Sequence, residues 1–459
     1  MALGLPISHQ PNVPGRGIVA GYGPRFWGLV VAIGVASGVA AGAFVQLLDL
    51  VERVAWSHDA GRLADAVRAT SPIHHVAVLA LGGLLAGAGI VALAHRARPG
   101  AVEISESLWL RSARLTIPGS LARGTLSVVT IGLGSSLGRE AAPQLAGAAV
   151  ASRAADRVGL PAWQRRLLVA CGAGAGMAAV YDVPLGGALF ALEVLLGTIT
   201  LPLVLPALAT ALVATATAWL ILPDRPTYAV PSYGTSASLL TWALVAGPVA
   251  GLAAVLWVRI VARAAALRPQ GRGRVAVPAA VFAALGAVAI TYPQILGNGR
   301  DIVALGTVGG LSVGLLAVLL VLKPLATAAC LGSGAPGGLF TPTLAFGVLL
   351  GGLLGHAWTA VWPGAPAGAF ALVGGAAVLA AAMQAPLTAV VLMLELTRNA
   401  DGLIVPMLLA VTAATVVARL LQAPSIYAAR LTDTAAERQC TVEAEWDRPP
   451  VPEPAGAAR

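Results

Sequence analysis

Charge is scarce in this chain. Of 459 residues only 11% are Asp, Glu, Lys or Arg, against 58% hydrophobic, and the mean hydropathy is +0.83. A soluble chain of this length needs far more polar surface to stay dispersed, so an ordinary soluble globular protein is excluded. Lysine is scarcer still: Lys323 is the only one, and the net charge of +9 rests almost wholly on arginine. The arginines are scattered between apolar runs and form no basic stripe, which argues against a nucleic-acid partner. Cysteine is nearly missing. Cys171, Cys330 and Cys440 give neither a disulfide framework nor a zinc-type spacing. Cys171 and Cys330 lie in apolar Gly/Ala context and read as small packing residues. The six histidines show no helical metal spacing, so no metal site is expected, and no cofactor is indicated. There is no phosphate-cradling GxxxxGK[ST] run and no nucleophile–base constellation, which speaks against an enzyme.

What is present is membrane-grade sequence. A helix needs about 20 apolar residues to cross the hydrocarbon core, and the chain has room for roughly a dozen such segments, several of them short. The 54 glycines and many alanines suit helices that pack backbone to backbone in a bilayer. Apolar segments fall at about 26–48, 75–95, 118–134, 143–152, 167–180, 185–206 and 207–222. A Pro-rich loop at 223–236 separates them from a second set at about 237–262, 275–291, 312–331, 342–361, 367–382, 386–396 and 402–421. Residues 1–25 read as a cytoplasmic N-terminal tail leading into a first membrane helix, with no obvious cleavage site for a signal peptide. Residues 431–459 read as a short cytoplasmic tail. Arginine clusters at Arg96/Arg98, Arg153/Arg157/Arg165/Arg166 and Arg263/Arg268/Arg272/Arg274 place three loops in the cytoplasm by the positive-inside rule.

One local frame occurs twice, about two hundred residues apart. Val183-Pro184-Leu185 runs to Leu192-Glu193, and Ala385-Pro386-Leu387 runs to Leu394-Glu395. This suggests two halves, about 26–222 and 237–430, of a duplicated membrane protein, an architecture common among transporters. Glu193 and Glu395 themselves read equally well as transport carboxylates or as packing carboxylates bonded to backbone. Two glycine-rich breakers interrupt apolar stretches, Gly132–Glu140 and Gly332–Gly338. Non-helical backbone at membrane depth must be buried in protein or line a watery cavity. A helix restarting there presents free N–H groups and a positive dipole end, which suits an anion. Glu140, at the tip of the first breaker, reads either as part of an exposed Arg-Glu surface pair or as a titratable gate competing with that anion.

These residues resemble the CLC family of chloride channels and proton-coupled anion antiporters. Gly138-Arg139-Glu140 is similar to the family's gating-glutamate motif. Gly334-Ala335-Pro336-Gly337-Gly338-Leu339-Phe340-Thr341-Pro342 is close to its second selectivity motif. Ala385-Pro386-Leu387-Thr388 to Leu394-Glu395-Leu396-Thr397 resembles a third conserved stretch, and Pro424-Ser425-Ile426-Tyr427 the segment with the pore tyrosine. The resemblance implies an all-α polytopic fold of two inverted-topology repeats with tilted and broken helices. It further implies a homodimer in a prokaryotic plasma membrane with one pore per subunit. Glu140 would be the gate. Gly138, Arg139, the N–H groups of Leu339 and Phe340, and the Tyr427 hydroxyl would bind the anion. Many eukaryotic relatives add a cytoplasmic nucleotide-binding domain, and this chain ends too soon for one.

Three departures qualify the resemblance. The family's pore serine is replaced at Arg98-Pro99-Gly100, and Pro99 offers neither N–H nor hydroxyl. Nitrate-preferring plant relatives also carry proline there, so chloride is the default anion and nitrate stays open. Ala141-Ala142-Pro143-Gln144 follows Glu140 in place of the usual Gly-Pro-x-Val-Gln. Val194 stands where antiporters usually carry an inner proton glutamate, which points to weak or missing proton coupling. A proton-coupled antiporter using another inner route is the alternative, and a non-conducting membrane scaffold is the alternative from another class.

Overall fold

The computed structural model describes residues 22–57, 61–96, 104–110 and 113–431. Within them lie 17 α-helices and no β-strand, the one strand-like feature being an isolated bridge between two glycines. The first half runs α1 (Pro24–Trp56), α2 (Leu63–Arg68), α3 (Pro72–Arg96), α4 (Ile104–Leu110), α5 (Ile117–Gly132), α6 (Ala141–Val158), α7 (Ala162–Tyr181), α8 (Pro184–Leu189) and α9 (Leu201–Ala218). The second runs α10 (Ala237–Ala266), α11 (Gly273–Ala289), α12 (Arg300–Thr307), α13 (Val313–Gly332), α14 (Phe340–Thr359), α15 (Ala367–Met383), α16 (Pro386–Thr397) and α17 (Ile404–Leu420). Seven helices are long and apolar enough to cross a membrane, and the protein is a multi-pass membrane protein.

The apolar surface sorts these helices. Helices α7 and α15 are buried along almost every residue, as expected of helices that are apolar all round and lie at the centre of a bundle. By contrast α1, α10 and α17 bury one face and expose Val31, Val245, Leu252 and Val416 on the other, where lipid replaces water. Close approach depends on glycine. A Cβ on Gly147 or Gly172 would strike the facing helix's carbonyl, so α6 and α7 touch through their backbones there.

The two halves repeat one another at the backbone level. Helix α7 is followed by Asp182 (φ 59°) and α15 by Gln384 (φ 59°), both left-handed. The next residues, Val183 and Ala385, take φ −134° and −132°, and then Pro184 and Pro386 open α8 and α16. A left-handed C-cap followed by proline at a helix start is a reliable stop and restart.

Two features differ from the expected segmentation. The apolar run 185–222 is not divided at 206/207. Its first part is α8 continued by a π-helical turn, Phe190–Leu195, and the break falls after it, where Gly197 turns left-handed (φ 70°) and Pro202 opens α9. Pro206 sits inside α9. Lying beyond the first turn, it leaves α9 without one backbone hydrogen bond, which membrane helices tolerate where neighbouring groups re-satisfy the freed carbonyl. The short helices α2, α4 and α12 also went unseen, being too brief for a periodic signal.

Candidate functional site

The two glycine breakers meet. Helix α5 ends at Gly132 and α6 starts at Ala141, while α13 ends at Gly332 and α14 starts at Phe340. Between these ends Gly138 N–H donates to Gly338 O at 2.7 Å, and Gly338 N–H returns the bond to Gly138 O at 2.7 Å. Gly134 (φ 107°) and Gly334 (φ 94°) make the same left-handed turn in their respective loops. Non-helical backbone here is thus satisfied by the matching loop of the other half, which is how irregular chain survives at membrane depth.

Glu140 lies at this junction and is 1% exposed. Its Oε1 accepts from Phe340 N–H at 2.7 Å, the first helical residue of α14. Its Oε2 accepts from the Tyr181 hydroxyl at 3.1 Å. The same hydroxyl lies 2.7 Å from Thr341 Oγ1. A carboxylate therefore occupies a helix N-terminus, the place the positive dipole end reserves for negative charge. Glycine makes the space. A Cβ on Gly138 or Gly338 would overlap the Glu140 carboxylate. Arg139 is half-buried, with its guanidinium 5.2 Å over the Tyr181 ring in a cation–π arrangement. It also lines a small solvent-open recess whose other walls include Asp49, Glu52, Arg300 and Asp301. Arg139 thus stands between this recess and the Glu140 pocket.

Of the residues singled out from sequence, Gly138, Arg139, Glu140, Leu339 and Phe340 come together. Gly138's N–H is spent on Gly338, so its part here is to leave room for the carboxylate. Leu339 is buried as the residue preceding α14. Tyr427 is half-buried, its ring edge-on to Phe190 at 5.6 Å, and Ile426 N–H anchors the segment to Ala382 O at 2.7 Å. Val194 is half-buried on the π-helical turn that also carries Phe190. Pro99 and Gly100 lie outside the described residues.

The duplicated glutamates have a clear geometry. Glu193 accepts from Leu387 N (3.2 Å), Thr388 N (2.6 Å) and Thr388 Oγ1 (2.5 Å) at the start of α16. Glu395 accepts from Leu185 N (3.0 Å) and Gly186 N (2.6 Å) at the start of α8. Each half's glutamate caps the other half's Pro-Leu helix, so the packing reading of the pair holds. Four N–H groups with no helical acceptor, and the Thr388 hydroxyl, are met by charge-assisted bonds, which are about twice as strong as neutral ones.

Two residues went unrecognised. Tyr181 ends α7 and carried no motif of its own; its hydroxyl meets Glu140 only through folding. Lys323 left a signal that was not followed, a lone cation inside an apolar helix, which is a functional or structural marker by default. It is fully buried and donates to Ser136 Oγ (2.8 Å), Ile295 O (2.9 Å) and Gly297 O (2.8 Å). These bonds tie α13 to the first breaker loop through Ser136 and to the segment before α12 through Ile295 and Gly297.

Comparison with known proteins bears on the family and the fold. The sequence profile of the family described as "Voltage gated chloride channel" matches residues 82–419. A ClcB-like chloride channel protein of Ralstonia nicotianae is 35% identical over 419 residues, covering 87% of this chain and 95% of its own. The voltage-gated ClC-type chloride channel ClcB of Salmonella typhimurium is 32% identical over 409 residues, covering 87% and 97%. Among solved structures, a slow cyanobacterial Cl-/H+ antiporter superposes with a TM-score of 0.79 at 21% identity, covering 91% of this chain and all of its own. With its paired breaker loops and a profile match over most of its length, this chain belongs to the voltage-gated chloride channel (CLC) family.

Proposed function

We propose that this protein carries small monovalent anions, chloride first, across a prokaryotic plasma membrane, through a pathway that Glu140 opens and closes. One observation carries the reading. The Glu140 carboxylate sits where an anion would sit, on Phe340 N–H at the α14 N-terminus, between glycines that leave room for it. A negative side chain there is a built-in competitor for a negative substrate. Protonation removes the charge that holds it, so flux rises as the pH on the Glu140 side falls.

The contacts that hold Glu140 in this position come from one chain, which suits one pathway in each subunit of a homodimer. Leu339, Phe340 and Tyr427 are its anion-facing residues, with Arg139 at the recess, which is the outer mouth. Proton coupling is weak or absent. Val194 holds no proton, and the neighbouring Glu193 is committed to the amides of α16. The test is anion efflux from liposomes across a pH series. Glu140→Gln, which keeps the size and removes the charge, flattens the pH response and raises flux at neutral pH. A variant that matches the unsubstituted protein in both would remove Glu140 from the gate.

A further inference from the structure

The Tyr181 hydroxyl has a chemistry that the gate alone does not explain. The residue is 2% exposed and Thr341 is fully buried, so neither hydroxyl has water as its ordinary partner. A buried phenol needs a hydrogen-bond partner. Here two acceptors lie within reach, Glu140 Oε2 at 3.1 Å and Thr341 Oγ1 at 2.7 Å, and the phenol has one proton. An ionised carboxylate only accepts. The chain is therefore oriented: Thr341 O–H donates to Tyr181 Oη, and Tyr181 O–H donates to Glu140. Phe340 N–H completes the set on the other carboxylate oxygen at 2.7 Å.

This donor set matches one negative charge. When Glu140 swings away or is protonated, the phenol O–H loses its anionic acceptor and keeps only the neutral Thr341 oxygen, a weaker partner than a charged one. A small anion in the vacated place restores both bonds. The ring cannot follow the glutamate, because it packs against Phe340 with centroids 5.4 Å apart and lies under the Arg139 guanidinium. We propose that Tyr181, oriented by Thr341, is a hydroxyl latch that holds the Glu140 carboxylate in the closed state and becomes a direct ligand of the transported anion in the open state. The proposal rests on the gate reading above, and the variants below separate the two.

The hydroxyl can be removed without touching the packing, since Tyr181→Phe keeps the ring. The experiment uses the full chain reconstituted in liposomes for chloride efflux, and purified in detergent for chloride titration by calorimetry, as unsubstituted protein, Tyr181→Phe, Glu140→Ala and the double variant. Tyr181→Phe weakens the hold on the carboxylate by the worth of one charge-assisted bond, about tenfold in the closed-to-open ratio. Its efflux–pH profile accordingly shifts so that opening occurs at higher pH. In the Glu140→Ala background no carboxylate remains, and Tyr181→Phe lowers chloride affinity by about tenfold while the melting temperature stays put. Thr341→Val shifts both readouts in the same direction by less, because it removes only the orienting donor. Equal chloride affinity in Glu140→Ala with and without Tyr181→Phe, or coincident pH profiles for Tyr181→Phe and unsubstituted protein, overturns the latch. A Glu140→Ala protein with unchanged efflux and pH response overturns the gate reading instead.

Discussion

Glu140, Gly138 and Gly338 depend on one another at the level of single atoms. The carboxylate takes the room that two missing side chains leave, and a methyl on Gly338 overlaps it. Gly338→Ala therefore keeps Glu140 from seating. The expected outcome is an efflux–pH profile flattened toward that of Glu140→Ala, measured in liposomes. The sequence made this trio readable because glycine and a carboxylate inside apolar sequence are both conspicuous. Tyr181 was not readable, since a tyrosine ending an apolar helix looks like packing and its partner lies 41 positions away. Lys323 was visible as the only lysine, but its three acceptors, on Ser136, Ile295 and Gly297, come from segments that only the fold assembles.

Helix ends, more than helix bodies, organise the elements. The repeated Pro-Leu…Leu-Glu frame is legible in the chain, and its physical meaning is that α8 and α16 each start on a carboxylate supplied by the other half. Glu193→Gln puts an amide where two backbone donors and a hydroxyl converge, and Glu395→Gln puts one where two backbone donors converge at α8. Each should lower stability by about 1–3 kcal/mol, read as a fall in melting temperature in detergent. The two caps share the α8–α16 contact, so the double variant should be non-additive. The π-helical turn at Phe190–Leu195 breaks the symmetry between halves, because α16 continues as regular α-helix to Thr397. It was not legible: one extra residue in a helical turn leaves the apolar pattern almost unchanged. π-Turns are rare and recur at functional sites, and this one carries Val194 and packs Phe190 on Tyr427.

At the scale of the whole molecule, composition gave the membrane and the breakers gave the place where two halves meet. Charge scarcity and long apolar runs are strong signals because the bilayer enforces them everywhere along the chain. Exact segment boundaries are weak signals, since proline is tolerated inside membrane helices, as Pro206 shows in α9. Leu185 on α8 and Leu387 on α16 are about half exposed on the single chain, along with Leu201 and Val405 nearby. A homodimer is expected to cover part of this surface, and light scattering in detergent, corrected for the micelle, should give twice the 45.9 kDa of the chain. A mass of one chain would leave this face to lipid alone. The most direct test of the central claim is simultaneous recording of chloride efflux and internal pH in liposomes holding the purified protein under a chloride gradient. The expected result is chloride efflux that Glu140→Gln raises at neutral pH, with no uphill proton movement. Absence of efflux, or uphill proton movement in a fixed ratio to chloride that Glu140→Gln leaves intact, would contradict it.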